Sequence, residues 1–115
     1  MATAGVAQLV RARSRIVAPL PIIFEVYKWL VYETHPAIAR RGLQRMQETL
    51  AIDYPDAARL QQIVEILDSM PMWSGSLEDA LVAVTGLWLD VPVWTLNYRD
   101  LAAIPNLQIW TPSGS

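Results

Sequence analysis

Glu78-Asp79-Ala80-Leu81-Val82-Ala83-Val84, followed by Val93-Trp94-Thr95-Leu96-Asn97-Tyr98-Arg99-Asp100-Leu101, decides the reading of this chain. The first segment opens a helix on a carboxylate. The second is a short buried strand that ends on Thr-x-Asn, with an Arg-Asp pair directly after it. An acid at a helix start and polar groups at the carboxyl end of a core strand can converge on one point. An α/β scaffold builds a Mg²⁺ or Mn²⁺ site in this way.

Working outward, Ser76 is a good N-cap for a helix over Leu77–Leu89. Met70 to Gly75 reads as a loop. Val91–Thr95 and Leu107–Trp110 read as strands joined by a short helical turn that ends at Pro105. Pro55 or Asp56 starts a helix whose expected core face is Leu60, Ile63, Val64 and Leu67. Ala51–Tyr54 reads as a short strand. Pro36 opens a helix with Ala39, Leu43, Met46 and Leu50 along one side. Pro21 fits the first turn of a preceding helix that runs to about Tyr32. That helix is apolar nearly all round, which predicts burial. Ile16-Val17-Ala18, stopped by Pro19, reads as a strand, and Ala2–Arg13 as a helix. Residues 111–115 form a polar tail expected to fray. Strands separated by helices predict an α/β fold with a parallel sheet between helices.

The composition agrees with a packed domain. The 115 residues suit one domain, hydrophobic residues make up 53%, and five are Trp. The absence of Cys excludes a disulfide framework and a thiolate metal site. The net charge of −2 gives no global pull toward nucleic acid. The basic clusters are Arg11, Arg13 and Arg15, then Arg40, Arg41 and Arg45. The longest apolar stretch, Ile16 to Tyr32, is broken by Pro19, Pro21, Glu25 and Lys28, so a membrane partner is not expected. A cytoplasmic location fits this composition.

Each candidate residue admits two readings. Glu25 sits among apolar neighbours, where a carboxylate needs a partner or a cation; it also stands three residues before Lys28, a spacing suited to an exposed ion pair. Asp79 lies three residues after Ser76 and matches a capping box, yet a capped carboxylate can still offer oxygen to a metal. Asn97 is a strand-end ligand or an ordinary turn residue. Asp100 is a metal ligand, a support for one, or the cap of a Leu101–Ile104 turn. Thr95 is placed to orient a ligand or a water. His35, the only His, reads as a helix-entry residue. Trp73 either contacts a partner or folds back on the core.

Taken together, Asp79 with its helix, Val91-Pro92-Val93-Trp94-Thr95-Leu96-Asn97-Tyr98-Arg99-Asp100-Leu101 and Ile104-Pro105-Asn106-Leu107 resemble the ending of PIN domains. These are the metal-dependent ribonucleases that include the VapC-type toxins. Upstream, Arg15-Ile16-Val17-Ala18-Pro19 and the helix carrying Glu25 are similar to that family's second strand and the helix with its acid. The resemblance spans roughly residues 6–112. It implies a PIN-like three-layer α/β fold, with Glu25, Asp79 and Asn97 at the second, third and fourth acidic positions. Asp100 lies one turn further on, and Thr95 supports. These would be the catalytic and Mg²⁺- or Mn²⁺-binding residues. No acid precedes Glu25, and no apolar run matches the family's first, central strand, so the expectation is a single N-terminally truncated PIN domain.

The function implied is that of an endoribonuclease toxin, with RNA as substrate, an antitoxin protein as partner and a possible homodimer. The competing expectation is a degenerate PIN fold acting as a non-catalytic interaction or dimerisation module.

Overall fold

The computed structural model of this chain describes residues 16–95 and 97–111. The helix expected over Ala2–Arg13, the cluster Arg11, Arg13 and Arg15, and the end of the tail lie outside the described residues. Those described form two compact units, residues 16–54 and 55–111.

The first unit opens with strand β1 (Val17–Pro19), which pairs in parallel with β2 (Ala51–Asp53) in the register Val17–Ala51, Ala18–Ile52 and Pro19–Asp53. The strand expected over Ile16–Ala18 is therefore shifted by one residue. Pro19 ends it and serves as the N-terminal flank of helix α1 (Leu20–Glu33), with Pro21 inside the first turn. A proline there gives up an N–H that has no intrahelical partner anyway. Helix α2 (Pro36–Thr49) begins at His35, whose Nδ1 accepts the Ala37 N–H at 3.1 Å. The only His is thus a helix cap, as its position before Pro36 predicts.

Helices α1 and α2 pack together, and the crossover from β1 to β2 runs through both. Gly42 lets the helices approach closely, since a Cβ there would stand 2.8 Å from Leu30 Cδ1 and that side-chain end would have to shift. The burial expected for α1 is not observed. Only Ile23 is buried, while Phe24 is 66% and Tyr32 86% exposed. The apolar residues of α1 encircle the helix, and packing on α2 covers one side of it.

The second unit is built on α3 (Ala57–Ser69) and α4 (Leu77–Leu89), which pack against each other. Asp56 caps α3 by accepting the Arg59 N–H at 3.0 Å. The core face of α3 differs from the expected one. Ile63 is buried and Leu67 packs on the core, but Leu60 is 58% exposed and Val64 is also exposed. Arg59 and Ile66 take their places. Arg59 is buried, and its Nη1 donates to Thr85 Oγ1 at 2.7 Å. The helix turns to bring that guanidinium, rather than Leu60, against α4.

Two groups of side chains form the core here. Ile63, Ala80, Leu81 and Val84 make one, and Ala83, Val93, Leu101 and Ile104 make the other. Trp73 packs on both, so the loop after α3 folds back. The two expected C-terminal strands reduce to one parallel bridge, Val93 to Ile109. Val93 N–H donates to Gln108 O at 2.9 Å, and Trp110 N–H donates to Val93 O at 2.8 Å. Before Val93 the pairing does not extend, because Val91 N–H is committed to Gly86 O. Between these segments, α5 (Tyr98–Leu101) makes a single turn. The class is α/β, rich in helix, with parallel strand pairing. Among the described residues no helix is long and apolar enough to cross a membrane.

Candidate functional site

The start of α4 sets the first group of the site. Ser76 Oγ accepts the Asp79 N–H at 3.1 Å, and Asp79 Oδ2 accepts the Ser76 N–H at 3.5 Å. This reciprocal pair is the capping box expected from the spacing. It holds the Asp79 carboxylate at the positive end of a thirteen-residue helix, where the helix dipole favours its charge.

The turn after Thr95 sets the second group. Thr95 Oγ1 accepts the Asn97 N–H at 2.9 Å. Asn97 then caps α5, its Oδ1 accepting the Asp100 N–H at 3.5 Å. The cap of this turn is Asn97 and not Asp100, and the turn begins at Tyr98 rather than Leu101. A side-chain oxygen one residue before the helix reaches the free N–H groups of its first turn, which a residue inside the turn does not.

The two groups meet through Asn97. Its Nδ2 donates to Asp79 Oδ2 at 2.8 Å and to Asp100 Oδ2 at 2.9 Å. An amide nitrogen carries two protons, and here each points at a carboxylate. Hydrogen bonds to ionised acceptors are stronger than neutral ones, each worth roughly 1.5–3 kcal/mol. Two carboxylate oxygens therefore converge on one point, with the amide between them. All three side chains are half-buried, so water screens this cluster only in part.

Of the residues predicted from the sequence, Asp79, Asn97, Asp100 and Thr95 are brought together by the second unit. Glu25 stands on the exposed side of α1, in the first unit. Among the described residues, no three His, Cys, Asp or Glu side chains gather into a metal-binding group. The Asp79–Asn97–Asp100 cluster has two carboxylates and one amide. Its oxygens suit a hard divalent cation, since Mg²⁺ is commonly held by one or two carboxylates with water and substrate oxygens completing the shell. Asn97 would have to turn its Oδ1 toward such an ion.

Sequence reasoning missed Arg59. Its guanidinium lies 4.3 Å from the centre of the Trp88 ring as well as on Thr85. Nothing in a helical hydrophobic pattern marks a buried arginine; the signal lies in Thr85 and Trp88, polar and aromatic positions on the facing helix.

No protein-family model matches the sequence, and no curated protein matches it significantly. Among solved structures, the fold is similar to that of a chain in the 2.2 Å structure of VapBC-1 from nontypeable Haemophilus influenzae. The TM-score is 0.72 at 16% sequence identity, over 91% of this chain and 90% of that one. At that identity the likeness shows a shared fold.

Proposed function

We propose that this chain is the PIN-like member of a toxin–antitoxin pair, an endoribonuclease that cleaves RNA phosphodiesters with Mg²⁺ or Mn²⁺. The observation that carries this reading is the convergence of Asp79 Oδ2 and Asp100 Oδ2 on Asn97 Nδ2, at 2.8 and 2.9 Å. The fold shared with a VapBC-1 chain supports the toxin–antitoxin class, with an antitoxin as protein partner.

In this reading Asp79 and Asp100 would hold the cation, joined by Asn97 through its Oδ1. A bound divalent ion supplies a polarised water and stabilises charge on the phosphate. The capping box aims Asp79, and Thr95 fixes the backbone from which Asn97 projects. Arg99, exposed on α5 one residue before Asp100, is available to a backbone phosphate.

A second reading has its own support. The Asn97 amide gives one N–H to each carboxylate, so the cluster also serves as a structural tie between the starts of α4 and α5. The chain would then be a non-catalytic interaction module.

Thermal melting with and without Mn²⁺ separates the two, because a ligand that binds only the folded state raises the midpoint. The ribonuclease reading expects a rise that EDTA reverses and that Asp79→Asn removes, together with Mn²⁺-dependent cleavage of single-stranded RNA. An unchanged midpoint, with no cleavage, establishes the module.

A further inference from the structure

The second unit carries a groove on the side of the α3–α4 pair that Trp88 borders. It has a volume of about 460 Å³, within the range of roughly 300–1,000 Å³ typical of binding pockets. Ile66, Val84 and Leu87 supply its apolar lining. Gln62, Glu65 and Ser69 of α3 form a polar edge, and Trp88 of α4 stands with 59% of its surface exposed.

Trp88 is held in place from behind. The Arg59 guanidinium stacks 4.3 Å from its ring centre and is itself tied to Thr85 Oγ1 at 2.7 Å. A large aromatic side chain ordered before binding loses little conformational entropy on contact, and tryptophans so placed dominate interface energies.

Charge decides what the groove suits. Residues 55–111 carry seven carboxylates and two arginines. One of the arginines, Arg59, is buried. Glu65 is the single charged residue of the lining, and Asp68 stands exposed one turn along the same helix. This edge of the groove attracts cations. An incoming guanidinium or ammonium group meets both the Glu65 carboxylate and the exposed part of the Trp88 ring, a favourable cation–π partner.

We propose that the α3–α4 groove is a docking site for a basic amphipathic segment of a partner protein, with aliphatic side chains on Ile66 and Leu87 above the buried Val84 and an Arg or Lys between Glu65 and Trp88. The inference does not depend on the metal reading of the Asp79 cluster, which lies elsewhere in the unit and is tested by Mn²⁺ rather than by peptide.

The test uses the full chain and a fluorescein-labelled synthetic helical peptide with Leu on one face and Arg beside it. A Glu-for-Arg version and a scrambled version serve as controls. Fluorescence anisotropy should show binding by the Arg peptide that weakens as salt rises. Glu65→Lys should weaken it at least about tenfold, and Trp88→Ala similarly. Because Trp88→Ala also removes the stack on Arg59, Gln62→Lys on the exposed edge provides an independent variant, expected to weaken binding without loss of fold. The proposal is overturned if the Arg peptide does not bind. It is equally overturned if Glu65→Lys and Gln62→Lys bind it as the natural chain does, or if the Glu or scrambled peptide binds equally. Sedimentation showing a dimer that Glu65→Lys dissociates would overturn it too, assigning the groove to a second copy of this chain.

Discussion

Asn97 and Asp79 are eighteen residues apart in sequence, and their side chains meet at 2.8 Å. The same amide nitrogen reaches Asp100 at 2.9 Å. One neutral side chain thereby ties together two carboxylates that would otherwise face each other as like charges.

Removing the amide should expose that repulsion. Asn97→Ala is expected to destabilise the protein by about 2–4 kcal/mol, since two ionised acceptors lose a donor and α5 loses its cap. Urea denaturation measures it. Asn97→Asp places a third carboxylate at the same point and should also lower the midpoint. If the cluster accepts a cation, Mn²⁺ will restore stability to Asn97→Asp more than it raises that of the natural chain.

Arg59 should prove costly to shorten. Arg59→Ala leaves the buried Thr85 hydroxyl without its 2.7 Å donor and removes the support beneath Trp88. A loss of roughly 2–4 kcal/mol is expected. Arg59→Lys should recover little of it, because an ammonium does not reproduce a flat guanidinium stacked on a ring. Chemical denaturation of both variants gives the comparison.

Gly86 sits where α4 meets the Val93 segment. A methyl group there would run into Val93 Cγ2, with the Val91 carbonyl oxygen 3.3 Å away. Gly86→Ala gains helix propensity of about 1 kcal/mol. The clash should outweigh that gain and give a net loss of about 1–3 kcal/mol. A Tm equal to or above that of the natural chain would show that the Val93 segment can shift.

His35 offers a milder case. His35→Ala removes the acceptor for the Ala37 N–H and should cost about 0.5–1 kcal/mol. His35→Ser or His35→Asp should match or exceed the natural chain, because these side chains cap helices well. Thermal melting of the three variants ranks them.

Local order was legible wherever a residue acts on its own neighbours. Ser76 and Asp79 announce the start of α4, Pro55 or Asp56 that of α3, and Pro36 after His35 that of α2; of the pair, Asp56 proves to be the cap. Capping and proline geometry involve groups within about four residues, so the chain carries that information locally. The pairing of polar residues at the ends of two elements was readable for a similar reason. Asp79 and Asn97 each sit at a fixed local feature, a helix start and a turn after a buried run.

Which faces are inside was settled only by packing. A run such as Phe24, Trp29 and Tyr32 reads as core by its composition, yet these residues are exposed, lying away from the side of α1 that packs on α2. Arg59 is buried while Leu60 beside it is not, because Thr85 and Trp88 on another helix satisfy the guanidinium. Among the described residues, strand pairing at Val93 is a single bridge, and Val91 before it gives its N–H to Gly86 instead. For the α1 residues and for Arg59 the deciding partner is remote in sequence. By itself, the sequence determined where the longer helices start and which polar groups stand at their ends. The tertiary structure decided which apolar residues are covered and how far strands pair, because burial and backbone pairing depend on groups brought together only by the fold.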